Sequence, residues 1–238
     1  MRPSAMSRLK AGALFLSGAL AALLFCGWLI IDHANDDVEA IVQARQDGYE
    51  VAERERLAII ADRPIAEGNH MPLWLQTDPQ WSHVPYASGT VGDSGCGLVC
   101  AAMALEYMTL QGITPLQLAD YVGDECLTDG VNDPGKFCAW IESHYPEYRI
   151  ESSEIYYETD RALSDVESGW LVFAGMSGAL GDSEYEGHVV MIWRADDEGY
   201  WVRDPDSGAN SARPFSAEEL SAVDFKYFYS IRGGLYGA

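Results

Sequence analysis

The sequence predicts an α+β fold, with helices first and an antiparallel sheet afterwards. Three observations carry that expectation. The stretch GDSGCGLVCAAMALEYM, residues 92–108, begins as a glycine-rich turn and becomes an apolar, helix-forming run. Two further helix signals, TPLQLADYV and GKFCAWIESHY, follow it. Beyond them the chain switches to short apolar and aromatic runs punctuated by turn residues: YRIESSEI, WLVFAG, HVVMIW, GYWVRD and FKYFYSIRG, with a short helix at SAEELSAV before the last.

The 238 residues divide by texture into four parts. Residues 1–10 are a basic tail, and residues 11–31, AGALFLSGALAALLFCGWLII, hold no charged side chain. At about 1.5 Å per residue a helix of that length spans roughly 31 Å, close to the hydrocarbon core of a bilayer. Arg2, Arg8 and Lys10 precede the run and Asp32, Asp36 and Asp37 follow it, so the positive-inside rule puts the N-terminus in the cytoplasm and the rest outside. An uncleaved anchor is expected over a cleaved signal peptide, because an h-region is usually only about 7–15 residues and no small-x-small site follows. Phe25 argues against a lipoprotein anchor at Cys26.

Residues 32–70 read as a charged, partly helical stalk that Pro64 ends, since proline lacks the N–H donor and restricts its predecessor. No heptad seam persists there, so a coiled coil is not expected. From residue 71 to 238 aromatics, glycines and apolar runs indicate one folded domain. PLWLQTDPQW is an extended stretch and turn. Residues 96–111 form the first helix. Thr114 as cap and Pro115 at the first helical position mark the second. The tryptophans Trp74, Trp81, Trp140, Trp170, Trp193 and Trp201 read as core or sheet-packing groups.

Charge excludes one class of partner. After residue 31 there are 12 basic against 37 acidic groups, a net charge of −25, and after residue 70 the balance is 8 against 27. Such a surface repels nucleic acid and anionic lipid, while basic peptides remain compatible. No cofactor or metal is expected. There is no glycine-rich phosphate loop, DPDSGAN lacks the spacing of a calcium loop, and Cys126, Cys138 and His144 lack the close pairs of a zinc site. Five cysteines are too few for a disulfide scaffold, although Cys126 and Cys138 flank a loop and are free to pair in an oxidising compartment.

The chemistry concentrates at three positions. Cys96 stands where the unpaired N–H groups of a helix start converge, which stabilises a thiolate and offers donors to an oxyanion. His188, after Gly187 at the start of HVVMIW, is the best placed of the five histidines to act as its base. Asp204, in WVRDPDSG, ends the next strand. Two antiparallel strands joined by the short turn ADDEG bring the start of one beside the end of the other, hence Asp204 beside His188. Cys100, one turn deeper on the Cys96 face, reads as a buried small hydrophobe. GALGDSEYEG, before His188, reads as a solvated loop bordering a cleft.

A helix-mouth cysteine, a Gly-His on a strand and an Asp-Pro on the next, in that order, resemble the papain-like cysteine peptidases. The nearest resemblance is to the bacteriocin leader-processing (double-glycine) peptidase-like family, and it covers most of residues 71–220. It implies a papain-like fold, Cys96 as nucleophile, His188 as general base and acid, and Asp204 as the group orienting His188. It also implies an upstream glutamine amide as a second oxyanion donor beside the Cys96 backbone. Gln76 is the matching position and Gln80 its rival, although that glutamine ordinarily stands only a few residues before the cysteine, where this chain has Thr90. Leu98, Val99 and Cys100 also depart from the Pro-Thr-Ser often found after the Gly-Cys-Gly.

The expected activity is therefore hydrolysis of a peptide or amide bond in a peptide or protein substrate, outside the membrane, through a thioester intermediate. Two other readings stand beside it. A peptidoglycan amidase of the NlpC/P60 type shares a cysteine at a helix start, but usually orients its base with a second histidine, and none follows His188. A non-catalytic binding domain retaining the fold is the third.

Overall fold

A computed structural model describes residues 71–234 of the protein. The tail at 1–10, the expected span at 11–31 and the stalk at 32–70 lie outside the described residues. Among those described, no helix is long and apolar enough to cross a membrane.

A two-stranded ribbon, β1 (Pro85–Tyr86) and β2 (Gly89–Thr90), leads into one helical turn, α1 (Val91–Ser94), which Thr90 and Asp93 cap reciprocally. Gly95 ends α1 and opens α2 (Cys96–Thr109). Eleven of the 14 residues of α2 are buried, so it forms the centre of a helical layer rather than its surface. It stops at Leu110, whose left-handed backbone (φ 53°) turns its N–H onto the Glu106 carbonyl, two residues earlier than the sequence pattern suggests. Helix α3 (Pro115–Val122) begins at the expected Thr114 cap with Pro115 first. A small hairpin, β3 (Leu127–Thr128) and β4 (Val131–Asn132), precedes α4 (Pro134–His144), capped by Asp133.

The sheet follows. Its strands are β5 (Glu151–Ser152), β6 (Leu171–Leu180), β7 (Ser183–Asp196), β8 (Gly199–Arg203), β9 (Pro214–Phe215) and β10 (Asp224–Arg232). All pairs are antiparallel, in the order β5-β10-β6-β7-β8-β9. Two helices are threaded among them, α5 (Thr159–Glu167) and α6 (Ala217–Ser221).

Alternation along β6 and β7 sorts the core into two. Leu171, Phe173, Val189, Met191 and Trp193 pack with α2 and its neighbours. Val172, Ala174, Val190 and Ile192 pack with Ala162, Leu163 and Val166 of α5 and Leu220 of α6. The sheet is thus covered on both faces, which is why WLVFAG and HVVMIW read as unbroken apolar runs. The expected architecture of N-terminal helices on a sheet describes one of these faces; α5, which closes the other, is absent from the sequence reading.

One further expectation is corrected. GALGDSEYEG is not a loop: β6 and β7 continue through it and leave only Gly181 and Asp182 as the turn. Consequently His188 lies inside β7, not at its start. Cys126 and Cys138, free by sequence to pair, are separate buried thiols. Trp81 and Trp193 are buried, and Trp74, Trp140 and Trp201 pack partly exposed on the same core, in keeping with a packing role.

Gly95 fixes the entry into α2. A Cβ there would lie 2.4 Å from the Val91 carbonyl oxygen, a backbone atom that cannot step aside. Gly95→Ala is expected to destabilise the protein by about 1–3 kcal/mol, the usual range for overpacking, read from urea unfolding. Wild-type stability in that variant would contradict the close approach.

Candidate active site

Cys96 is the first residue of α2 and is half-buried, whereas the other three described cysteines are buried. The capping residue Gly95 makes no side-chain hydrogen bond to the helix start. The first N–H groups of α2 therefore remain available around the sulfur. One turn deeper, the Cys100 thiol is fully buried and donates to the Val189 carbonyl at 3.5 Å, tying the helix to β7. Burial pushes that thiol well up, leaving it inert.

His188 and Asp204 meet as the hairpin β7–β8 requires. The His188 Nε2 lies 2.8 Å from Asp204 Oδ1, both residues buried. Cys96 lies near enough to act on the ring from the side away from Nε2. Burial disfavours the charged imidazole, but the Asp204 hydrogen bond and the influence of Cys96 prevail and raise His188 from 6.5 to about 9.

Asp204 is 0 % exposed and accepts from five donors. Besides His188 these are the Tyr185 hydroxyl (2.8 Å), the Asn210 amide (2.8 Å) and the backbone N–H groups of Asp206 (3.0 Å) and Ser207 (3.2 Å). Burial opposes ionisation here, yet the His188 bond, its charge and the remaining donors hold the carboxyl below its ordinary value. The polar string DPDSGAN, which fails as a calcium loop, is thus the wrapping of a buried carboxylate.

Sequence reasoning did not find Tyr185. Its ring stacks on His188 with centroids 4.0 Å apart and planes at 13°. Residues three apart on a strand face opposite ways, so a regular ladder would separate them. Here Met176 pairs with His188 and Gly178 with Tyr185, so Glu186 and Gly187 together oppose Ser177. That β-bulge resets the alternation and returns Tyr185 and His188 to one face. A second irregularity, at Lys226 of β10, flanks β6 from the other side.

Between these bulges and the β3–β4 hairpin lies a cleft of about 310 Å³ that contains both Cys96 and His188 in its lining. Val131, Met176 and Tyr227 give it apolar walls, and Glu186 and Lys226 its charges, the latter paired with Asp224. Asn132, also absent from the sequence reading, reaches the Cys96 sulfur from the hairpin.

Gln76 is buried beside this group. Its backbone N–H donates to the Pro205 carbonyl (2.6 Å) and its Nε2 to the Gly92 carbonyl (2.9 Å), so it joins the Asp204 loop to the segment leading into Cys96. Its Oε1 is buried without a partner. Gln80, its rival, makes only a local turn contact through its backbone to Asp78.

No family model and no curated protein matches the chain. Among solved structures it is similar to a candidate C39-like peptidase from Bacillus anthracis, with a TM-score of 0.45 and 14% identity over 68% of this chain and 94% of that one. It is also similar to a variant of the Salmonella effector SpvD, with a TM-score of 0.30 and 12% identity over 71% and 84% of the respective chains.

The raised His188 value has a sign that can be tested. Its stabilising contribution is complete below about 6.5 and is lost as pH rises through about 9. Asp204→Asn should bring the imidazole midpoint, followed by NMR, down from about 9. The stability gap between wild type and this variant should be widest between about 3.8 and 6.5 and should narrow as pH rises through about 9. A gap that widens as pH rises would contradict the pairing described.

Proposed function

We propose that the protein is a cysteine peptidase that hydrolyses a peptide or amide bond with Cys96, His188 and Asp204, held at the outer face of a membrane by the apolar run at 11–31. One observation carries the reading: the His188 ring bonds the buried Asp204 carboxylate through Nε2 at 2.8 Å and lines one cleft with the helix-mouth sulfur of Cys96. A base must stand by the nucleophile and be oriented by a third group, and this ring is held by Asp204 in the cleft that also contains the thiol.

The steps follow from the roles. His188 takes the Cys96 proton through Nδ1, while Asp204 fixes the Nε2–H tautomer and balances the imidazolium. The thiolate sulfur adds to the substrate carbonyl carbon, and the carbonyl π pair moves to oxygen. The Cys96 backbone N–H and the free N–H of the Gln76 amide stabilise that oxyanion. Collapse breaks the C–N bond, the imidazolium protonates the departing amine, and a thioester remains. His188 then takes a proton from water as its oxygen attacks, and the thiolate leaves the carboxylic acid product.

Two features favour a peptide over other amides. The cleft is lined by residues of β6, β7 and β10, and its walls mix apolar side chains with the Glu186 carboxylate. The carboxylate at Asp204, where NlpC/P60-type amidases usually place a histidine, favours this reading over a cell-wall amidase. An oxyanion role for Gln76 falls to its second Nε2–H, the first being spent on the Gly92 carbonyl in the segment leading into Cys96.

With the other described cysteines buried, iodoacetamide or an epoxide inhibitor should label the protein at Cys96, as mapped by mass spectrometry. Cys96→Ala should abolish both that adduct and hydrolysis of a peptide library. Gln76→Ala should lower kcat on the order of a hundredfold to a thousandfold, the usual cost of one oxyanion donor. A fully active Cys96→Ala protein would reject the assignment.

A further inference from the structure

Asn132 is placed as if to serve the thiol directly. It ends β4, and its side-chain amide is gripped from two sides by separate parts of the chain. The Tyr86 hydroxyl donates to its Oδ1 at 3.0 Å, and its Nδ2 donates to the Ser94 carbonyl. A carbonyl can only accept, so Ser94 fixes which end of the amide is nitrogen, and the Tyr86 phenol must then be the donor on the other side. One N–H is spent on Ser94. The same Nδ2 stands 3.8 Å from the Cys96 sulfur, which leaves its second N–H for Sγ.

The contact is built into the backbone. A Cβ on Gly97 would come within 2.7 Å of the Asn132 Cβ, so glycine after the nucleophile lets the hairpin seat against the mouth of α2. Burial dominates in holding the Tyr86 phenol well above its ordinary range, so it remains a neutral donor at any working pH.

From these contacts we infer that Asn132 is a further catalytic residue, a neutral donor that holds the Cys96 thiolate. The inference rests on the peptidase reading in that Cys96 must be the nucleophile. The titratable groups close enough to feel the sulfur's charge are His188 from β7, Tyr227 from β10, Tyr86 from β1 and Cys100 from one turn below. Glu186 and Lys226, with Asp224 on the lysine, stand across the cleft. Against the acidic members of this set, a fixed amide N–H supplies attraction without adding a charge that would compete with His188. A hydrogen bond to an ionised group contributes about 1.5–3 kcal/mol, on the order of tenfold or more in the thiolate population.

The test is the rate of Cys96 alkylation by iodoacetamide as a function of pH, measured on the full chain with the adduct mapped to its peptide. At pH 6, Asn132→Ala should react about tenfold more slowly than wild type, and its profile should move to higher pH. Asn132→Asp, which replaces the donor by a carboxylate, should move it further. Tyr86→Phe, which only releases the amide to rotate, should give a smaller shift in the same direction. A folded Asn132→Ala protein with the wild-type profile would overturn the inference while leaving the Cys96–His188 pair intact. Should Asn132→Ala fail to fold, an unshifted Tyr86→Phe profile overturns it and a shifted one supports it. Wild-type Cys96 reacting as an ordinary free thiol would sink the peptidase reading, and this inference with it.

Discussion

A carboxylate removed from water must be fully supplied with donors or it will not stay charged, and that constraint organises this site. Asp204 draws donors from β7 (Tyr185 and His188), from its own loop (Asp206 and Ser207) and from the turn that follows (Asn210). Asn210 also donates to the Leu180 carbonyl, so the carboxylate's wrapping is stitched to the far end of the β6–β7 hairpin. Ser211 receives the Asp204 N–H, closing the loop on itself. The imidazole is therefore oriented by a partner that is itself held on every side.

The sulfur is positioned by a different principle. An almost wholly apolar helix has nowhere to go but the middle of the protein, and burying α2 against β7 fixes where its first residue emerges. Cys100 bonds the Val189 carbonyl next to His188, so the two elements bearing the reacting groups are registered one turn below the chemistry. Gln76 and Asn132 complete the arrangement from opposite directions in the chain, one spanning Gly92 and Pro205, the other spanning Tyr86, Ser94 and Cys96.

The parts legible in the sequence were those governed by local rules. The Thr114 cap with Pro115, the apolar run after Cys96 and the hairpin that brings Asp204 to His188 each follow from neighbours in the chain. The parts that were not legible depend on partners far away or on a break in periodicity. Helix α5 (TDRALSDVE) is short and mostly polar, yet Ala162, Leu163 and Val166 at helical spacing give it an apolar stripe toward the sheet, a periodic signal that lies between two strand-like stretches and escapes the sequence reading. Tyr185 and Asn132 look like ordinary polar loop residues until a bulge and a hairpin place them. GALGDSEYEG reads as a loop because its glycines and acids hide two strands whose outer residues face solvent.

The two-for-one step at Glu186–Gly187 makes the site depend on counting as well as on identity. Inserting one residue beside Ser177, opposite the bulge, would leave Cys96, Tyr185, His188 and Asp204 all in the chain, yet restore a regular ladder in which the phenol and the imidazole, three apart, point away from each other. The carboxylate would lose one of its donors and the ring its flat support through a change in chain length alone. Insertions in this hairpin should therefore be tolerated at the Gly181–Asp182 tip and not beside Ser177.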